Sequence, residues 1–269
     1  MIPEANDFLD ESLALHALIA DLDDEGLERV TAFKAWTISD VVAHLHYFND
    51  MASVSLSDRD AFAASAQEAM AGLLAGASMK DMARKHYADG WGMTLVNEWV
   101  AGARRLAAAF AEADPKLRVK WFGPDMSARS AISARLMETW AHGQAVYDAL
   151  GVHREDQDRI QAIAHLGVKT YGWSFQNRGI SAPEPAPHLR LVAPSGAIWE
   201  FNAPNDEERI EGAASEFCQV VAQTRNVADT KLTVAGANAG AWMEIAQCFA
   251  GPAVDPPPPG TRRMVTPAS

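Results

Sequence analysis

The feature that most constrains this chain is the helical spacing of apolar residues through its first two thirds. Apolar side chains that recur every three or four residues form the buried stripe of a helix. Thr37 and Asp40 have the spacing of a capping box, which marks a helix start, and Gly151 suits a helix end. The pattern predicts helices at about 8–22, 37–57, 96–114, 127–151 and 155–177, with one or two short helices inserted at 58–88.

The helical pattern ends at NRGISAPEPAPH, residues 177–188, where three prolines fall within five residues. Proline lacks the backbone N–H that a helix needs, so we place the end of a helical first domain at residue 178. The fold class is therefore α+β, with domains at 1–178 and 179–252 and a Pro-rich extended tail at 253–269. In the smaller α+β domain the pattern predicts two strands in 188–202, a helix in 206–224, a strand in 229–236 and a helix in 239–250.

The charge of the chain excludes some classes of partner. Its net charge is −12 and its pI is near 5.1, so a nucleic acid or an anionic membrane is not expected as a partner. The N terminus lacks a basic segment followed by an apolar stretch, and a run of about 18 apolar residues occurs nowhere, so we expect a cytoplasmic protein. Cys218 and Cys248 lie in helical apolar patterns and are interpreted as reduced core thiols.

A glutamate and a histidine lie four residues apart in the last long helix before the boundary, in the stretch ETWAHGQAVYD. At about 100° per residue, Glu138 and His142 project from the same face. Alanines surround the pair, Arg135 is the other long side chain near it, and an apolar stripe covers the opposite side of the helix. Burying a lone carboxylate and imidazole is costly, so this face favours an internal polar site, and metal coordination would offset the cost.

A third ligand is expected from the helix at 37–57. His44 shares a face with apolar residues and points to the interior, whereas His46 lies about 200° away and cannot join it from one regular helix. Two histidines and a glutamate with an open position are typical of a catalytic zinc site, where water or a substrate thiolate takes the remaining position. We predict His44, Glu138 and His142 as metal ligands.

Interpretations of these residues that involve no metal also stay open. Glu138 and His142 alone fit a surface contact within one helix, and His44 alone fits a hydrogen-bonded core residue. Asp40 is interpreted as a capping residue rather than as a partner of the metal ligands. Arg135 is a candidate anchor for a substrate carboxylate and equally a candidate salt-bridge partner of Glu138.

Two segments, AWTISDVVAHL at 35–45 and RLMETWAHGQAVYDALG at 135–151, carry a resemblance to a known family. They resemble the N-terminal metal-binding domain of the mycothiol-dependent maleylpyruvate isomerase family, which is part of the DinB-like superfamily of four-helix bundles. The segment at 221–251 resembles the small α+β domain that often follows, which is also described as wyosine-base-formation-like. The motif residues of the metal-binding domain fall here on Trp36, Thr37, Asp40, His44, Leu45, Glu138 and His142.

The resemblance implies a DinB-like four-helix bundle with an inserted helical segment and a divalent metal on His44, Glu138 and His142. Zinc is the first choice, with nickel, manganese and iron as alternatives. It also implies a low-molecular-weight thiol that the metal holds as a thiolate, which is nucleophilic at neutral pH. In the isomerase the thiolate would add to the cis double bond of maleylpyruvate, permit rotation and leave, while other superfamily members transfer thiols to electrophiles. Bundles of this superfamily often pair, so a homodimer is a further expectation.

We therefore expect a metal-dependent enzyme that uses a thiol to isomerise or conjugate a small electrophile, for example one that bears a carboxylate. A non-catalytic metal-binding or sensor protein is the alternative, and a role linked to tRNA modification is a third, which the net charge of −12 disfavours. An accessible site with a positive group nearby would favour the enzyme. A site sealed by apolar side chains would favour the binding protein.

Overall fold

The computed structural model describes residues 1–265 and divides the chain into two compact units, Met1–Leu150 and the part from Gly151 onward. The division lies after Leu150, earlier than the boundary that the sequence predicts at 178. Gly151, just past the end of the last helix of the first unit, has a φ of 67°, a conformation that glycine adopts at little cost. The helical first unit followed by a unit with a sheet confirms the α+β fold class.

The first unit is a four-helix bundle with an insertion. Helices α1, α3, α6 and α7 form the bundle, in which α1 and α3 each pack against both α6 and α7. Helices α4 and α5 are the insertion predicted at 58–88, and both contact α3. The elements in chain order are α1 (Glu4–Ile19), α2 (Asp24–Leu27), α3 (Ile38–Ser57), α4 (Arg59–Leu74), α5 (Met79–His86), α6 (Met93–Glu112), the short hairpin strands β1 (Arg118–Val119) and β2 (Met126–Ser127), and α7 (Ala128–Leu150).

The apolar stripes of these helices meet in one core. Leu15 of α1, Val41 of α3, Trp99 of α6 and Val146 of α7 belong to the same cluster and are fully buried. Burying a side chain of this size contributes about 1.5–3 kcal/mol relative to leaving it in water. The apolar residues whose periodicity predicts the helices are therefore the residues whose burial stabilises the bundle.

The start of α3 is held by several polar contacts. The Thr37 hydroxyl accepts a hydrogen bond from the backbone N–H of Asp40 at 3.2 Å, and the Asp40 carboxylate accepts one from the backbone N–H of Thr37 at 2.9 Å, which confirms the capping box. From α5, Lys80 pairs with the same carboxylate at 3.0 Å, and Arg84 also binds it. These contacts fix the first turn of the helix that carries His44.

The second unit contains a four-stranded sheet of order β4-β3-β5-β6. Strand β3 pairs with β4 in antiparallel and with β5 in parallel register, and β6 is antiparallel to β5. Helix α8 packs against α10, and α9 against α11. The elements are α8 (Gln161–Lys169), α9 (Tyr171–Gln176), β3 (His188–Val192), β4 (Ile198–Phe201), β5 (Arg209–Ala213), α10 (Ala214–Val221), β6 (Thr233–Ala235) and α11 (Ala237–Met243).

Two sequence predictions for this unit are wrong in part. The helix predicted at 206–224 is a strand in its first part, because β5 pairs on both sides and this pairing outweighs the local helical pattern. The helix predicted at 155–177 is divided between α8 and α9 at Thr170, whose hydroxyl donates to the carbonyls of Leu166 and Gly167. A Cβ on Gly167 would lie 2.9 Å from Val221 of α10, so this glycine permits close helix packing. That packing explains why residues 161–176 belong to the second unit.

The Pro-rich segment is bound to the second unit more firmly than the sequence predicts. Arg178 forms an ion pair with Asp255 at 2.8 Å, and the backbone N–H of Gly260 donates to Asp229 at 2.9 Å. The last residues of the predicted tail, 266–269, lie outside the described residues.

The predictions for the cysteines and for membrane helices can also be compared with the structure. Cys218 and Cys248 are buried and unbridged, in agreement with their interpretation as core thiols. Among the helices of residues 1–265, none combines the length and the hydropathy that a membrane span requires.

Candidate metal centre

The bundle brings His44, Glu138 and His142 together. Glu138 Oε2 lies 3.2 Å from His142 Nε2 and 3.7 Å from His44 Nε2. Donor atoms from all three side chains lie within 4.8 Å of one another, and within residues 1–265 this is the one such group of three or more His, Cys, Asp or Glu residues. The helical spacing on α7 supplies the pair, and the packing of α3 against α7 supplies the third residue.

A short turn before α3 packs against the two imidazoles. The bridge between Val30 and Thr37 closes this turn. Phe33 presents an edge contact to His142, with ring centres 4.9 Å apart, and the Trp36 ring lies parallel to that of His142 at 6.0 Å. Lys34 and Ala35, at the tip, both have positive φ, which is uncommon for residues other than glycine. The turn therefore adopts a costly conformation that places two aromatic rings beside the site.

The site is walled by aromatic rings but is not sealed. Trp36 also contacts His44, with ring centres 5.1 Å apart, and Phe48 lies 4.8 Å from His44 on its other side. The side chains of His44 and His142 are each 13% exposed, and that of Glu138 is 25% exposed. The three side chains therefore keep a small part of their surface in contact with solvent.

The electrostatics of the site favour a neutral imidazole beside a carboxylate anion. Burial and the neighbouring His142 lower the pKa of His44 to about 4, although Glu138 opposes this shift. Burial alone would raise the pKa of Glu138, but hydrogen bonds from the two histidines hold it well below its usual range. At neutral pH, Glu138 is thus ionised and His44 is neutral, which is the form of imidazole that binds metals.

The donor set fits a divalent metal of the zinc type. Imidazole nitrogen and carboxylate oxygen bind zinc at about 2.0–2.2 Å, so two ligands of a tetrahedral site are about 3.3 Å apart. The separations of 3.2 and 3.7 Å between Glu138 and the two histidines are of this size. Three protein ligands leave a position for a further ligand, as in catalytic zinc sites.

Arg135 lies one turn before Glu138 on α7 and is 2% exposed. Its Nε donates to Asn49 Oδ1 at 3.1 Å and its Nη2 to the backbone carbonyl of Leu45 at 3.4 Å, and both acceptors belong to α3. Burial lowers the pKa of Arg135 to about 10, so the group remains a cation at neutral pH. Its charge also helps to lower the pKa of Glu138. The positive group expected near the site is present, but it is bound to the neighbouring helix.

The structure also places the remaining candidates. Asp40 caps α3, as the sequence predicts. His46 lies on another face of α3, stacked on Tyr87 with ring centres 4.7 Å apart. Trp36, a motif residue of the resemblance, is buried and contacts both histidines of the site. Sequence reasoning did not identify Phe33, since a turn between helices carries no periodic signal.

Comparison with known proteins shows what this chain is similar to. The family model described as the mycothiol maleylpyruvate isomerase N-terminal domain matches residues 8–147. Two uncharacterized proteins of Mycobacterium tuberculosis, from strains CDC 1551 and H37Rv, are each 35% identical over 251 residues, which cover 93% of this chain and 96% of the relative.

Solved structures show the same fold. The crystal structure of a mycothiol-dependent maleylpyruvate isomerase matches with a TM-score of 0.50 at 17% identity and covers 81% of this chain and 86% of the matched chain. A mutant form of that enzyme matches with the same score at 16% identity. At such identities the likeness demonstrates a shared fold, and the chemistry must be argued from the site.

Proposed function

Because this chain belongs to the mycothiol maleylpyruvate isomerase N-terminal domain family, we propose that it is a divalent-metal-dependent enzyme that uses a low-molecular-weight thiol. Its reaction would be the isomerisation of a small electrophilic substrate or the transfer of the thiol to it. The resemblance inferred from the sequence is confirmed for the helical unit. The wyosine-base-formation-like description of the second unit stays a prediction.

One observation carries the proposal: three side chains of metal-ligating types converge at one site and keep part of their surface exposed, 13% for His44 and His142 and 25% for Glu138. Ligand residues buried without access would suit a structural or sensor metal better. The partial exposure of the three side chains supports the approach of a thiol and a substrate, and it favours an enzyme over a non-catalytic metal-binding protein.

The three residues would hold the metal through the two imidazoles and the Glu138 carboxylate. A divalent cation held there would supply positive charge that lowers the pKa of a thiol, so that the thiol reacts as a thiolate at neutral pH. The ligand set carries one negative charge, that of Glu138, and so neutralises only half of the charge of such a cation. Phe33, Trp36 and Phe48 exclude water from the sides, which strengthens charge interactions at the site.

The metal site is tested by elemental analysis of the full chain, purified without a metal-chelating column, beside the His142→Ala variant. We expect about one divalent metal per wild-type chain, as for a site of three protein ligands, and a large loss in the variant. The same measurement identifies the metal among zinc, nickel, manganese and iron. Undiminished metal in His142→Ala would refute the ligand assignment.

The activity is tested by incubating metal-replete protein with maleylpyruvate or generic electrophiles and a panel of thiols, namely mycothiol, glutathione and bacillithiol. We expect turnover that requires both a thiol and the metal. His142→Ala serves as the control for background reaction between thiol and electrophile. Metal-replete protein without thiol-dependent turnover would instead support the non-catalytic binding protein.

A further inference from the structure

We propose that Arg135 and Asn49 form a clamp between α7 and α3 that sets the spacing of the metal ligands. This inference rests on the proposed function. It assigns Arg135 as a positioning residue, which differs from both roles that the sequence predicts for it, the anchor for a substrate carboxylate and the salt-bridge partner of Glu138.

The contacts of Arg135 join the two helices that carry the ligands. Arg135 precedes Glu138 by one turn on α7, and its acceptors on α3 are the Leu45 carbonyl, next to His44, and the Asn49 side chain. The two hydrogen bonds use different guanidinium nitrogens, so they restrict both the distance and the rotation between the helices. Such a fork is a property of arginine that lysine lacks.

The surroundings of the clamp make it stiff. Arg135 and Asn49 are each 2% exposed, so water does not compete for their hydrogen bond. The guanidinium also lies 5.8 Å from the ring centre of Phe48, and that ring contacts His44. A movement of Arg135 would therefore be transmitted to His44 through both Leu45 and Phe48.

Burial argues against the role of a substrate anchor. A group that binds an incoming carboxylate must present its N–H donors to solvent, whereas the side chains of His44, Glu138 and His142 are all more exposed than Arg135. The Nδ2 group of Asn49 is buried and has no hydrogen-bond partner among residues 1–265, so Asn49 contributes only its oxygen here. That oxygen is committed to Arg135.

Removal of Arg135 should weaken metal binding if the residue positions the ligands, and strengthen it if only its charge matters. A positive charge beside the site repels a cation, so removal of Arg135 would tighten metal binding if charge were its only role. Loss of a group that orients the ligands typically weakens metal binding by about 10–100-fold. A clamp therefore predicts weaker binding when the positive charge is removed.

The experiment measures the affinity of metal-free full-length protein for Zn²⁺ by competition with a chromogenic chelator. Arg135→Met keeps much of the side-chain bulk and is expected to weaken binding by about 10–100-fold. Arg129→Met is the matched control, because Arg129 lies in the first turn of the same helix with a side chain 53% exposed. We expect its affinity to equal that of the wild type.

A second pair of variants covers the case in which Arg135→Met does not fold. Asn49→Leu removes the acceptor and is expected to weaken Zn²⁺ binding, whereas Asn49→Asp keeps an acceptor for Arg135 and is expected to preserve it. Circular dichroism verifies folding of each variant. Equal or tighter binding by Arg135→Met and Asn49→Leu, with wild-type binding intact, would overturn the clamp alone. Wild-type protein that binds no metal would overturn the proposed function and the clamp with it.

Discussion

Helix α3 carries two histidines, two residues apart, that enter opposite kinds of environment. On one side, His44 meets the pair Glu138 and His142, which are four residues apart on α7. On the other side, His46 forms a pair with Asp50, also four residues on, with His46 Nδ1 3.6 Å from Asp50 Oδ1. In sequence, the two histidine–carboxylate pairs have the same spacing. In the structure, only the first gains a third ligand residue.

The neighbouring helices produce this difference. Tyr87, just after α5, stacks on His46 with an angle of 6° between the rings, and its hydroxyl donates to Asp50 at 2.8 Å. Gly102 of α6 brings the backbone close, since a Cβ there would lie 3.2 Å from His46 Cε1. The space around His46 is thus filled by packing, whereas His44 faces the other two candidate ligands.

The pKa of His46 agrees with its role as a packed residue. Burial lowers the pKa of His46 despite the nearby Asp50, and its Nδ1 has no hydrogen-bond partner in the described part of the chain. His46 therefore behaves as a packed ring in the core. The comparison shows that an i,i+4 spacing creates a local pair, while the packing of a second helix decides whether the pair becomes a site.

The largest expected difference between the two histidines is in metal affinity. We expect His44→Ala to weaken Zn²⁺ binding by at least about 100-fold because it removes one of three ligands, and His46→Ala to change it by less than about 3-fold. Chelator competition on the two purified variants measures this difference. A comparable loss in His46→Ala would mean that the two faces of α3 are not separate.

In the metal-free protein we expect the opposite order for folding stability, with His46→Ala more destabilising than His44→Ala. His46→Ala leaves a cavity between Tyr87 and Gly102, and we expect it to lower the free energy of unfolding by about 2–3 kcal/mol. The side chain of His44 is 13% exposed against 7% for His46, and we expect His44→Ala to lower the free energy of unfolding by about 1 kcal/mol less than His46→Ala does. Urea unfolding followed by circular dichroism provides both values. Equal costs would contradict the packing role assigned to His46.

The smallest expected effect concerns Asp40, which caps the start of the helix that carries both histidines. Burial alone would raise the pKa of Asp40, but hydrogen bonds from Arg84, the Thr37 backbone and Lys80 lower it below its ordinary value of 3.8. The unfolded chain then binds a proton at higher pH than the folded one, so this stabilisation is complete above the ordinary pKa and is lost as pH falls through the folded pKa.

Asp40→Asn should therefore lower stability at neutral pH by about 1 kcal/mol and remove part of the loss of stability on acidification. Melting temperatures of both proteins between about pH 6 and pH 3 test this expectation. Zn²⁺ affinity should change little, because the polar contacts of Asp40 are with Thr37, Lys80 and Arg84 and not with the three candidate ligands. Parallel pH profiles for the two proteins would exclude Asp40 as the source of the acid sensitivity.

Particular residues show how much the sequence could predict. The apolar periodicity predicts the bundle helices, and Thr37 with Asp40 predicts where α3 begins. The spacing of Glu138 and His142 and the angular separation of His44 from His46 predict the group of three that the structure brings together. The predictions of the helices, of the cap and of the Glu138–His142 pair succeed because they depend on the geometry of a single helix, which neighbours hardly change. The group of three also requires that α3 packs against α7.

Other features lay beyond the sequence because they depend on contacts between distant residues. The local sequence pattern of β5 predicts part of a helix, but the segment is a strand because it pairs with β3 and β6. Residues 161–176 belong to the second unit because α8 packs against α10. Phe33 becomes part of the metal centre through a turn whose strained tip is held by its surroundings.

The order of residues is enough to predict which helix faces carry polar side chains, since side-chain direction along a helix follows from the residue number. What each face contacts depends on the approach of a second helix, so it follows from the tertiary packing. Arg135 illustrates the division: its place beside Glu138 on α7 is fixed by sequence. Its hydrogen bonds to Asn49 and Leu45 exist because α3 packs within reach of it.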